Sequence, residues 1–385
     1  MKKPIITSVE IQEFEFITND LTSDHIYEPG AVSKRKSIAL KINTNIGISG
    51  EYIRRGTIGT HTVRSLIGKF VLGKNALERE NIQIDLKREL RHASRLGMDI
   101  IDVALWDLAG KYYNAPIYEL LGGHRKKLPC YASSFHGDHF EGGLNSPEAF
   151  ADFAEQCLEM GYPAFKIHDW IDVAPKQEIA AIHALGKRVG GKMDLMLDPA
   201  CSYNTFGEAW KVGRACDEEG FFWIEDLFRD GGISQFAHRK LRQLIKTPLL
   251  QAEHITSLEP KIDFLLADAT DFLRIDLPYD GGITGAMKVA HAAEGLGIDV
   301  EIHAPGPAER HCMAAIRNSN YYEMALVHPK FPTNSGAPLY KCDYRDALDA
   351  IDEDGCVSVP EGPGLGVEYD WDWIAKHSTG VEEYK

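Results

Sequence analysis

Long apolar runs, paired cysteines and an excess of positive charge are all missing from this 385-residue chain. No stretch approaches the roughly 18 uncharged apolar residues that a membrane helix needs. The opening Met1-Lys2-Lys3-Pro4-Ile5-Ile6 carries lysines but no apolar segment long enough for a secretory signal. Seven cysteines, at 130, 157, 201, 216, 312, 342 and 356, form an odd set without a C-x-x-C pair or zinc-type spacing, which reads as free thiols in a reducing compartment. Forty-two basic against 57 acidic side chains leave a net charge of −15, which argues against nucleic acid or an anionic membrane as partner. The expectation is a cytoplasmic protein whose partner is a small molecule. Its 44% hydrophobic and 26% charged residues are those of an ordinary globular chain, long enough for two domains and able to build a core without staples.

What is present is an ordered change of texture. Residues 5–11 and 37–42 alternate like strands, and residues 62–121 read as helices. The clearest helix runs from Asp99 to Tyr113, with Ile101, Ala104, Leu105, Leu108 and Tyr112 on one face, and Gly122-Gly123 stops that block. From about residue 128, short apolar runs alternate with single amphipathic helices, the pattern of a parallel sheet. The helix that begins at Ser146-Pro147-Glu148 has a capping serine, a proline in its first turn and an acid beside it.

The ends of those runs carry the chemistry. They finish in Lys166 and His168, Asp198, Glu225, Glu253, Asp276 and His303, separated from His168 onward by 30, 27, 28, 23 and 27 residues, each about one strand, one helix and two loops. In a closed β/α barrel such ends converge on one mouth. A single acid there could be a solvated loop residue; six successive strand ends are harder to explain that way. Asp198, Glu225 and Glu253 offer hard oxygen ligands in an arc, which suits Mg²⁺, and they would repel one another without a cation. Lys166 and His168 on one flank and His303 on the other are candidate bases, and Asp276 could orient His303 through a hydrogen bond. Such a set suits removal of a proton next to a carboxylate, the cation offsetting the charge of the enediolate that forms.

At these residues the chain resembles the enolase superfamily and, within it, the mandelate racemase subgroup. The resemblance extends through Gly97-Met98-Asp99 to Lys111, Pro116 to Gly123, Trp223-Ile224-Glu225-Asp226, Asp276 with Gly281-Gly282-Ile283-Thr284, and Val359 to Val367. It implies an α/β fold: a modified (β/α)7β TIM-type barrel with an α+β capping domain. Residues 1–125 would form the cap, 126–350 the catalytic barrel and 351–385 a segment returning to the cap. It also implies Mg²⁺ on Asp198, Glu225 and Glu253, a His303-Asp276 dyad, Glu323 as the acid that hydrogen-bonds the substrate carboxylate or enediolate, and a homo-oligomer. If Glu323 has that role it is protonated in part of the cycle.

Departures from the subgroup pattern matter. Its second barrel strand usually ends Lys-x-Lys; here Lys166-Ile167-His168 puts an imidazole at the base position, with Lys166 raising the local positive charge. His254 follows Glu253 and could replace it as ligand if the strand end shifted by one residue. Substrate choice belongs to the cap loops, one with His25 and Tyr27, the other with Arg54 and Arg55, and to His136 after the first barrel strand; two arginines suit a distal carboxylate or several hydroxyls. For at least one of the adjacent arginines a solvated surface charge is the simpler reading. Gly186 to Lys192 mimics a phosphate-binding loop but closes a helix and opens a strand, the reverse of the required order. The activity expected is dehydration of an aldonate or aldarate to a 2-keto-3-deoxy acid, with racemisation or epimerisation of a 2-hydroxy acid and lactone cycloisomerisation as alternatives that share the first step. A non-catalytic binding protein should show a broken set of residues, and this set is intact.

Overall fold

In the computed structural model the described residues are 2–18, 33–168, 170, 174–331 and 337–385. Three strands open the chain: β1 (Ile6–Thr18), β2 (Ser33–Thr44) and β3 (Ser49–Arg55). Eight follow, separated by helices: β4 (Lys127–Ser134), β5 (Ala164–His168), β6 (Asp194–Asp198), β7 (Trp223–Glu225), β8 (Leu249–Gln251), β9 (Phe272–Ile275), β10 (Val300–Ile302) and β11 (Tyr322–Val327). The last two are β12 (Cys356–Ser358) and β13 (Ser378–Tyr384). The first sheet has the order β13-β1-β2-β3, and the second runs β10-β9-β8-β7-β6-β5-β4-β11 with every neighbouring pair parallel. Helices follow β4 through β10 but not β11, so the second sheet is a nearly closed barrel of the (β/α)7β kind.

Alternation along these strands sorts their side chains. Phe165, Ile167, Leu195, Leu197, Ile224, Leu273 and Ile275 face the helices and join the main core, which is continuous with the first sheet. Tyr131, Ala164, Met196, Trp223 and Leu250 form a separate apolar cluster. Two residues further along the same strands stand Ser133, Lys166, Asp198 and Glu225. Period two therefore puts the charged residues in a layer above an apolar plug, toward the strand ends.

Helix starts follow the expected chemistry. Ser146 accepts from the Ala149 amide with Pro147 in the first turn, and Thr205 and Glu208 form a reciprocal capping box. The helix Met98–Tyr113 is buried over almost its whole length because it lies between the two sheets. Its acids explain why. Asp99 meets Arg54 of β3 at 3.1 Å, Asp102 accepts from the Thr284 hydroxyl at 2.6 Å and amide at 2.9 Å, and Asp107 accepts from the Glu51 and Leu365 amides at 2.8 and 2.9 Å. Three carboxylates on one helix thus tie it to the first sheet, the barrel and the C-terminal segment. That segment divides its pairing: β12 joins β4 of the barrel, and β13 joins β1. No helix among the described residues is long and apolar enough to cross a membrane.

Gly110 and Gly364 meet backbone to backbone at the tail junction; a Cβ on Gly110 would lie 2.4 Å from the Gly364 Cα and 2.7 Å from the Ala115 oxygen. Gly110→Ala is expected to lower stability by about 1–3 kcal/mol, read as a reduced urea midpoint. Gly207→Ala, where a Cβ meets open space, should leave it unchanged or raise it slightly.

Candidate active site

The barrel mouth and the end of β3 enclose a cavity of about 620 Å³. His168, Asp198, Glu253, Asp276, His303 and Glu323 line it. Lys166 and Glu225 do not, although the sequence places them at the same mouth. They are buried beneath the cavity floor, where each stands beside a counter-charge. The Lys166 ammonium is 2.6 Å from Glu225 Oε1, 2.9 Å from Glu323 Oε1 and 3.6 Å from Asp198. Arg274, inward-facing two residues before Asp276, approaches Glu225 Oε2 at 2.6 Å and Glu323 at 3.8 Å. Burial opposes the charge on Lys166, but Glu225 and Glu323 outweigh it and hold the ammonium well above its ordinary value. Glu323 is held well below the usual carboxylate range, because Lys166 and Arg274 overcome the cost of burial. It is therefore ionised in the ligand-free protein and accepts from Ser133 Oγ and the Ala304 amide, each at 2.9 Å.

The two imidazoles differ. His303 Nδ1 lies 2.5 Å from Asp276 Oδ2, and its Nε2 is 3.6 Å from Glu253. Burial works against the imidazolium, but Glu253 and then Asp276 push its pKa up to about 10. Asp276 is lowered: burial is outweighed by the His303 hydrogen bond and charge. His168 has both nitrogens engaged, Nδ1 with the Ser134 carbonyl at 2.7 Å and Nε2 with Asp198 at 3.1 Å. Its ring sits 4.9 Å from that of His136, which is buried and lines the cavity.

Just past the strand ends the backbone turns through left-handed conformations at Ala200, Cys201, Asp226, Ala252 and Ala304, none of them glycine (φ 43–84°). Non-glycine residues in this region carry strain of order 1–3 kcal/mol each, a cost concentrated at functional sites. These turns bring Asp226 into the cavity wall. Burial, then the Glu253, Asp198 and Glu225 carboxylates, raise the Asp226 carboxyl well above its normal range. Among the described residues, Lys166 and Arg274 are the buried ammonium and guanidinium set against the acids at 198, 225, 226, 253 and 323, which leaves an excess of carboxylates over these cations. That excess, carried on hard oxygen donors, fits a divalent cation such as Mg²⁺. Asp198, Glu225 and Glu253 would hold it. Their spacing is looser than that of a second donor set among the described residues, Cys201, Asp226 and His254, whose ligand atoms lie within 4.8 Å of one another. His254 points to Asp226 Oδ2 at 3.3 Å, and Glu253 lies nearer Arg274 and His303.

The cap contributes Tyr52, Arg54 and Arg55 to the cavity. Arg54 is buried in its pair with Asp99, whereas Arg55 is exposed at the rim. His25 and Tyr27 lie outside the described residues. Sequence reading passed over Arg274, Asp226, Cys201, Glu309 and Tyr340. Period-two alternation back from Asp276 would have found Arg274; no local pattern points to Glu309 or Tyr340.

The family model "Enolase C-terminal domain-like" matches residues 149–373, and "Mandelate racemase / muconate lactonizing enzyme, N-terminal domain" matches residues 19–122. This chain belongs to the enolase superfamily. A crystal structure of D-glucarate dehydratase from Agrobacterium tumefaciens complexed with magnesium superposes with a TM-score of 0.91 at 30% identity, covering 98% of this chain and all of that one. N-succinyl-L-Arg/Lys racemase of Bacillus cereus is 26% identical over 92% of this chain and 93% of its own length. D-gluconate dehydratase of Thermoproteus tenax is 26% identical over 71% of this chain, a match that spans 54% of that protein. Superfamily relatives thus include both dehydratases and a racemase.

Because carboxylate ligands bind protons and cations in competition, and burial beside other carboxylates raises Asp226, Mg²⁺ binding is expected to displace protons and to tighten as pH rises. Calorimetry in two buffers of different ionisation enthalpy checks this; equal heats would place the charge balance elsewhere. Glu225→Gln should weaken the same binding.

Proposed function

We propose that this protein removes the proton α to the carboxylate of an acid sugar and expels the β-hydroxyl, giving a 2-keto-3-deoxy acid. The observation that carries the reading is the pairing of His303 with Asp276 across the cavity from the cationic and carboxylate layer of Lys166, Asp198, Glu225 and Glu323. One wall offers an oriented imidazole, and the other offers charge to grip a carboxylate.

Asp276 accepts from His303 Nδ1, so Nε2 is the nitrogen left to face substrate. In its neutral form that nitrogen takes the α-proton. The C–H electron pair moves into the carboxylate to form an enediolate, and its collapse expels the β-hydroxyl as water with a proton returned by an imidazolium. The resulting enol becomes the 2-keto-3-deoxy acid by taking up a proton at C3. Magnesium held by Asp198, Glu225 and Glu253 would supply the positive charge that offsets the carboxylates and the developing enediolate. Lys166 stands beside Glu323 and Asp198, where it adds to the positive field on that wall. His168, on the face opposite His303, serves as the second acid-base group once substrate loosens its contact with Asp198.

The same two imidazoles on opposite walls also suit racemisation, the activity named for the Bacillus cereus relative. A screen of aldonic, aldaric and simple 2-hydroxy acids with Mg²⁺ in D₂O separates the readings. A 2-keto-3-deoxy product is expected; α-deuteration with inversion and no keto acid would instead make the protein a racemase or epimerase. His303→Asn should lower kcat by about 10²–10⁴ while leaving Mg²⁺ affinity close to wild type, and comparable activity in that variant would remove His303 from the chemistry. The superfamily resemblance further supports a homo-oligomer, which sedimentation would establish.

A further inference from the structure

The dehydratase reading places the α-carbon and its carboxylate between His303 and Lys166, which leaves the far end of the substrate to the cavity wall formed by Tyr52, Arg55, Glu309 and Tyr340. Glu309 is the unusual member. It is 7% exposed, near the start of the helix Pro307–Ala315. Its carboxyl receives a hydrogen bond from its own backbone amide, and no side chain among the described residues is paired with it. It can lie there because Gly306 stands three residues earlier, at the helix cap, where a Cβ would fall 2.2 Å from the Glu309 carboxyl oxygen. A buried carboxyl that faces a cavity without a side-chain partner is costly unless a ligand uses it.

Its surroundings decide what it can offer. Burial, Asp276 at the end of β9 and Asp346 on the chain after β11 push it up to about 8, against the lowering effect of Arg55 from β3. Asp346 is itself paired with Arg310 at 2.6 Å and accepts from the Tyr322 hydroxyl at 2.8 Å. The remaining neighbours, Tyr52 and Tyr340, stay neutral because burial raises both phenols. At neutral pH this wall therefore presents a carboxylic acid O–H and a guanidinium charge, with no negative charge of its own to repel an anion. A proton shared between a carboxyl and a carboxylate is a charge-assisted bond, roughly twice as strong as a neutral one. A terminal hydroxyl gains much less from the pair.

We propose that Glu309, together with Arg55, binds the far end of the substrate and selects a second carboxylate there, so that the acid sugar is a diacid rather than a monoacid. This rests on the dehydratase reading and adds the substrate class to it.

Calorimetric binding of hexaric acids and the hexonic acids of matching stereochemistry, to Mg²⁺-loaded protein carrying His303→Asn to prevent turnover, tests it. A preferred diacid is expected to bind about tenfold more tightly than its monoacid at pH 7. Its Kd should weaken toward tenfold per pH unit above about pH 8 as the Glu309 proton is lost, while the monoacid Kd stays level. Adding Glu309→Gln, which keeps a donor that cannot ionise, should preserve diacid binding and abolish the high-pH weakening. Equal affinity for the two ligand classes, or the same high-pH weakening in the Glu309→Gln protein, overturns the inference and leaves the dehydratase reading intact. Failure of every acid sugar to bind overturns both.

Discussion

Lys166 and Arg274 are buried inside the barrel, 1% and 0% exposed, and grip Glu225 from either side at 2.6 Å. Taking three charges out of water costs several kcal/mol each unless close partners repay it, so each of these side chains depends on the other two. Neither cation could be removed without leaving an uncompensated carboxylate beneath the site. The network also sets the state of what lies above it. It keeps Glu323 ionised and, after His168, helps draw Asp198 below its ordinary range, while burial and the neighbouring carboxylates raise Asp226. The mouth thus gathers more carboxylates than cations, and a divalent cation such as Mg²⁺ would offset that excess.

Much of this was legible in the sequence, for a reason peculiar to the fold. A β/α barrel repeats one unit, so spacing alone assigns strand ends to a common mouth, and Asp198, Glu253, Asp276 and His303 were found that way. The rule fails on depth. Lys166 and Glu225 sit on the inward-facing side of their strands as expected, yet ion pairing holds them below the cavity floor. Asp226, which period two would turn away from the barrel interior, reaches the cavity because the backbone twists into a left-handed conformation immediately after β7. Glu309 and Tyr340 left no trace in the sequence, since their approach depends on how a helix start and a connecting segment fold over the mouth. Of the adjacent arginines, alternation along β3 sends Arg54 inward to Asp99 and leaves Arg55 at the rim.

Residues that looked like a family signature turn out to have mechanical roles. Asp99, Asp102 and Asp107 occupy one buried helix and each satisfies donors on a different body: Arg54 of the first sheet, Thr284 of the barrel, and the Glu51 and Leu365 amides of β3 and the C-terminal segment. Burial pushes Asp102 up to about 6 even with two hydrogen bonds from Thr284, so these contacts carry a desolvation cost that only good geometry offsets. Removing one would strand a buried donor or acceptor on the opposite side as well.

That arrangement has a consequence for recognition. The cavity's outer wall comes from β3, and β3 is fixed through Arg54 to a helix that is in turn hydrogen-bonded to Thr284, close along the chain to Asp276. The His303–Asp276 pair and the outer wall at β3 are thus referenced to the same helix. For a substrate that spans the cavity as proposed, the separation of those two points would be held by buried hydrogen bonds, and length selectivity would follow from that rigidity. Asp99 and Asp102 would thereby couple the two ends, although neither lines the cavity.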